Sequence, residues 1–180
     1  THVCLRWVRA GAIWEALAIT KERDFTYPAS SGEDLYRRSL YTFWRRTVGP
    51  ANMFDASNRQ TCRVRSATTS TPLHALTTLN DPTWVEAARA LAERSMKATR
   101  ELDDRLSLAF QLVMCRKPTA PDLEALRRAY ERQAAFFARD LLGAKSLVSV
   151  GESKRDETFD VGEHAALSAV CLAILNLDEA

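Results

Sequence analysis

Six side chains have the types and spacing to hold a ligand or an interface: Asp55, Arg59, Arg63, Arg65, His74 and Asp81. The first four fall in one stretch, 49–70, with no helical or strand period. About twenty irregular residues inside a compact domain are functional or disordered. Met53, Phe54, Cys62 and Val64 are poor residues for a disordered linker, so the stretch is expected to pack down as a long ordered loop. Arginines in such a loop need partners: carboxylates of the fold, helix C-terminal carbonyls, or an anionic ligand. Pairing within the fold is the first expectation and an anion the second. His74 stands beside Leu73 on a short helix, at a surface or rim position. Asp81 stands where one helix ends and the next begins.

Other chemistries find less support. A nucleophilic site needs Ser, Cys or Thr beside a base, yet there is no GxSxG turn and the histidines are His2, His74 and His164. His164 and Cys171 share a helix face, but seven residues at ~1.5 Å rise separate them by about 10 Å, too far for one metal ion. Core packing accounts for both. Cys4, Cys62, Cys115 and Cys171 form no CxxC or CxxCH, so neither a zinc knuckle nor a c-type haem attachment is expected. Phosphate-cradling glycine loops are missing. Arg37-Arg38 and Arg45-Arg46 split across helix faces, and a net charge of +2 is too small to argue for nucleic acid or a membrane. The longest apolar run, 165–175, is too short to span a bilayer.

The elements that must position these residues read as helices. With 180 residues, 46% hydrophobic and 27% charged, the chain can bury a core of its own. Asp34 to Thr47 carries Tyr36, Leu40 and Phe43 on one stripe, and Gly49-Pro50 stops it. Thr71-Pro72 opens a short helix to Leu79, with Leu73, Ala75 and Leu76 as its apolar side. Asp81-Pro82 is an N-cap and N1 pair that opens a longer one. There Trp84, Ala88, Leu91, Ala92 and Ser95 make the buried stripe, and Glu86, Arg89, Glu93, Arg94 and Lys97 read as solvated charge. Leu102 to Cys115 follows, its C-terminal half apolar enough to be buried all round. Thr119 caps a long helix whose stripe runs Leu123, Leu126, Tyr130, Ala134, Phe137, Leu141. Residues 143–160 read as an exposed linker. Val161 to Leu177 is apolar on every side and should lie centrally. The expected fold is all-α, an irregular bundle of about six or seven helices with one long ordered loop at about 49–70.

The run from Gly32 to Thr47 resembles the opening motif of the Planctomycete surface domain, a domain of unknown function. Phe54-Asp55-Ala56 with Arg59, Cys62, Arg63, Val64 and Arg65 resembles its next block. Thr71-Pro72-Leu73 through Asn80-Asp81-Pro82 to Arg89 resembles its central block, and 175–179 its close. The resemblance covers roughly 13–180 as a single helical domain. Residues 1–12 depart from the family's lead-in, and His74 stands where the family pattern has Gln. The resemblance implies a non-catalytic C-terminal module of a large exported, cell-envelope protein. Haem is then expected only in another domain of that parent, with no cofactor in this chain. The implied partners are the parent's other domains and a cell-surface or carbohydrate partner, without nucleic acid or a transmembrane segment. The alternative is part of a redox or polysaccharide-processing enzyme whose site the preceding domain completes.

Overall fold

The computed structural model describes Gly32 and residues 72–177, apart from the side chains of Leu73, His74 and Thr77. The chain divides into two compact units, Thr1–His74 and Ala75–Ala180. All of the described residues except Gly32 and 72–74 belong to the second unit. The expected helix at Asp34–Thr47 and the loop at 49–70 lie outside the described residues.

Among the described residues the fold is all-α, with six helices: α1 Pro72–Asn80, α2 Pro82–Ala98, α3 Leu102–Met114, α4 Ala120–Phe137, α5 Leu141–Val148 and α6 Val161–Ile174. Local chemistry sets most of the starts. Asp81 caps α2, its carboxylate accepting from the Thr83 N–H, with Pro82 in the first turn. Thr119 and Asp122 form a reciprocal capping box on α4. Asp160 caps α6 by accepting from Glu163 N–H at 2.9 Å. At the end of α3, Cys115 takes a left-handed conformation, φ 56°, and its N–H closes the last turn on the Gln111 carbonyl. Arg116 follows, its guanidinium 4.8 Å from the Phe110 ring centroid and 3.1 Å from Asp122. The α3–α4 corner is thereby clamped.

As the all-round apolar pattern predicts, α6 is central. His164 through Ser168, Val170, Cys171 and Ile174 are all buried. Leu167, Val170, Cys171 and Ile174 pack with Leu91, Met96, Leu106 and Phe110 of α2 and α3. Ala165 and Ala166 pack with Phe137, Ala144 and Val148 of α4 and α5. The most extensive helix pair is α2 with α6. Ala88, Ala92 and Ser95 form a small-residue stripe on α2 that lets the two backbones approach closely. Two buried hydroxyls bond within their own helices, Ser95 to the Leu91 carbonyl and Ser168 to the His164 carbonyl.

Four sequence expectations need correction. The stripe from Leu123 to Leu141 does not run through one helix. Asp140 caps a new helix instead, accepting from Gly143 N–H at 2.8 Å, so α5 stands where an exposed linker was expected. Leu141 points outward while Ala144 and Val148 enter the core. The C-terminal half of α3 is not buried all round: no helix among the described residues covers Gln111 and Leu112, which are exposed. Among the described side chains of α1 the buried one is Thr78, whose hydroxyl lies 2.7 Å from the Asn176 Oδ1, and Leu76 faces out. Finally, Val85, Arg89 and Met96 join the buried stripe of α2 and Trp84 is only partly covered.

Candidate functional site

Of the six residues singled out by sequence, Asp55, Arg59, Arg63 and Arg65 lie outside the described residues. His74 lies on α1. Asp81 has extended backbone angles, φ −74° and ψ 128°, which aim its carboxylate at the start of α2. Its side chain takes the Thr83 N–H, and its backbone carbonyl takes those of Trp84 and Val85. The charge therefore rests on the positive end of the α2 dipole.

A larger polar constellation forms where sequence alone expects solvent. Glu86, Arg89, Glu93 and Lys97 recur on α2 at intervals of three and four, so they line one face. The segment 149–160 lies along that face. Arg89, 2% exposed, donates from Nη2 to the Ser153 carbonyl at 2.8 Å and also to the Ser153 hydroxyl. Glu86 accepts from Ser153 N–H at 2.8 Å and sits 3.8 Å from the Arg89 guanidinium. One turn on, Glu93 accepts from Asp156 N–H at 3.4 Å, and Lys97 bridges Glu93 at 2.6 Å and Asp156 at 3.0 Å. Arg155 turns back on its own segment and donates to the Phe159 carbonyl at 2.5 Å. Gly151 makes the approach possible: its φ is +101°, and a Cβ there would lie 2.3 Å from the Glu86 side chain.

These contacts overturn the reading of Arg89 as solvated charge; the segment 149–160 is mostly exposed, as expected of a linker, but it is tied down on α2. The physical reason is mutual. A polar segment has backbone groups to satisfy, and a charged helix face supplies donors and acceptors at matching intervals. Hydrogen bonds hold the Asp156 carboxyl down at about 2, first from the Thr158 hydroxyl and backbone N–H, then from Lys97. The same contacts raise Lys97 above its ordinary value, led by the hydrogen bond to Glu93.

Beneath the seam lies His164, fully buried. Its Nε2 is 3.3 Å from the Arg89 carbonyl, an acceptor, so the proton of the neutral ring belongs on Nε2. Nδ1 is buried without a hydrogen-bond partner. Phe159 meets the ring edge-on at 6.2 Å. Burial pushes the imidazole below its ordinary value and outweighs the opposing pull of the Arg89 carbonyl and Glu93. Cys171 is buried too, and burial pushes its thiol up to about 12, so it stays protonated and inert. Both behave as the core residues that sequence expects. Among the described residues no cluster of His, Cys, Asp and Glu is arranged to hold a metal ion.

The constellation holds a segment in place by charge-assisted hydrogen bonds, and its groups are turned on one another. Sequence reasoning missed Arg89 because burial is decided by a segment some sixty residues away. The available signal was the alternation Glu86, Arg89, Glu93, Lys97, whose signs suit a pairing face.

Among the described residues no helix is long and apolar enough to cross a membrane. No curated protein and no solved structure matches the chain. Residues 12–130 match a family described as PSD1, protein of unknown function (DUF1553). That span takes in α1–α3 and the α2 half of the seam, and stops inside α4. By that match over most of its length, the chain belongs to the PSD1 family of proteins of unknown function.

Proposed function

We propose that this chain is a non-catalytic helical module that packs against the other domains of a larger exported parent at the cell envelope. The sequence resemblance supports the parent, with haem in another of its domains and a cell-surface or carbohydrate partner. One observation carries the non-catalytic reading. The charged groups best placed for chemistry in this unit are spent on structure: Asp81 on a helix start, and Glu86, Arg89, Glu93 and Lys97 on a strapped segment.

Asp81 supplies the test. Asn caps a helix about as well as Asp, whereas Ala costs about 1 kcal/mol. On this reading Asp81→Asn in the full-length parent leaves both stability and activity intact, while Asp81→Ala lowers stability alone. Loss of ligand binding or turnover in Asp81→Asn with unchanged melting would overturn it. In the same assay Arg65→Ala is expected to impair folding, and a stable variant that loses turnover would favour an enzymatic site instead.

A further inference from the structure

Three large apolar side chains stand exposed at one corner of the unit. Phe136 ends α4, and Leu141 and Leu142 begin α5. They are 56%, 56% and 78% exposed. The chain turns sharply between them, for the Phe136 carbonyl accepts from the N–H groups of both Arg139 and Asp140. Phe137, the next residue, is buried and anchors the turn to Ala144 and Val148. The corner is therefore fixed from beneath while its outer side chains project.

Charge gathers at the same place. Residues 132–149 hold three basic residues, Arg132, Arg139 and Lys145, against one acid, Asp140. That acid is engaged with the Gly143 N–H. Arg132 lies one turn before Phe136, and Lys145 lies one turn after Leu141 and Leu142 on the same face. Arg132, Arg139 and Lys145 are exposed and make no ion pair among the described residues.

From this combination we infer that the α4–α5 corner docks on an anionic lipid surface. A protein interface needs a broad patch, about 800 Å² on each side. Three side chains projecting from a tight turn offer a small wedge instead. A wedge of Phe and Leu ringed by Arg and Lys suits the boundary between headgroups and acyl chains. The cations meet lipid phosphates while the apolar side chains enter just below them. A second copy of the chain is the wrong occupant, since two such corners repel each other. The inference is independent of the module reading above.

The full chain is tested by flotation with vesicles of phosphatidylcholine alone and of an equimolar mixture with phosphatidylglycerol. Binding is expected to the mixed vesicles only, and to weaken as salt is raised. Leu141→Gln combined with Leu142→Gln is expected to weaken it about tenfold or more. Arg132→Glu combined with Arg139→Glu is expected to abolish it. All four positions are exposed, and circular dichroism checks that the variants fold. Equal binding to both vesicle types, no binding to either, or wild-type binding by the leucine variant each overturns the inference. Should vesicles fail while the leucine variant loosens contact with the parent's other domains, the corner is a protein-docking face and the lipid reading is wrong.

Discussion

The α2 seam and the α4–α5 corner invert the usual placement of residues in opposite directions. The seam buries an arginine, Arg89, and the corner exposes Phe136, Leu141 and Leu142. In the seam the charged groups are turned on one segment, with Glu86 and Arg89 converging on Ser153 and Glu93 and Lys97 on Asp156. In the corner the apolar side chains project from a turn whose fixing residue is the neighbouring Phe137. Unusual residues thus have two origins. Where partners converge on them, they hold the fold. Where they stand exposed, as at the corner, the proposed partner lies outside the unit. Substitution distinguishes the two, because stability should respond at the seam and not at the corner.

The largest effect is expected at Arg89. Arg89→Ala removes the guanidinium that contacts the Ser153 carbonyl and the Glu86 carboxylate and opens a cavity beside α6. Breaking one side of a buried charged pair costs about 3–5 kcal/mol, and the fall in Tm is on the order of 10 °C. Arg89→Lys keeps the charge but loses the fork, so an intermediate fall is expected. Thermal unfolding followed by circular dichroism measures both. A loss under about 1 kcal/mol in Arg89→Ala would mean that the seam does not hold its segment in solution.

A smaller, pH-dependent effect is expected beneath the seam. The folded His164 has a pKa below its ordinary 6.5, so the unfolded chain binds the proton more readily. Its contribution is fully present above pH 6.5 and is lost as pH falls through 6.5 toward the folded value. The charges that bear on the ring are Arg89 and Glu93 from α2 and Arg155 from the strapped segment; the two arginines disfavour a cationic ring and Glu93 favours it. Asp156 acts in a separate window. Its contribution is present above about 3.8 and is lost as pH falls toward about 2. Urea midpoints measured between about pH 7.5 and 5.5 should decline, and the decline should shrink in His164→Asn. An unchanged slope in that variant would place the titration on another group.

The two regions also differ in how much of each could be read from sequence. Helix starts were legible because their chemistry is local: Asp81-Pro82 and Thr119 with Asp122 announce themselves within four residues. The central place of α6 was legible from its apolar residues on every side. The break between α4 and α5 was not, because the apolar period continues across it to Leu141 and no proline marks it. Asp140 breaks the helix by capping the next one, and an aspartate in a helical pattern reads equally well as surface charge. Arg89 was illegible for the opposite reason. Its helix was plain, but its burial depends on Ser153, which belongs to a segment with no period of its own. Asp81 was seen both as a helix start and as a candidate site residue, and its geometry accounts for the first role.

The smallest effect on stability is expected at Leu142, and it carries the most information about the corner. At 78% exposed, the side chain already meets water in the folded unit, so exchanging it for Gln removes little burial. Surface substitutions of this kind usually lie within about 0.5 kcal/mol of neutral. Gln is also a good helix former, so the first turn of α5 should be kept. Leu142→Gln is therefore expected to melt with the wild type while its binding to anionic vesicles falls. A Tm drop comparable to that of Arg89→Ala would show that Leu142 is covered in solution. The corner would then belong with the seam, as a structural contact, and its leucines would need no partner beyond the chain itself.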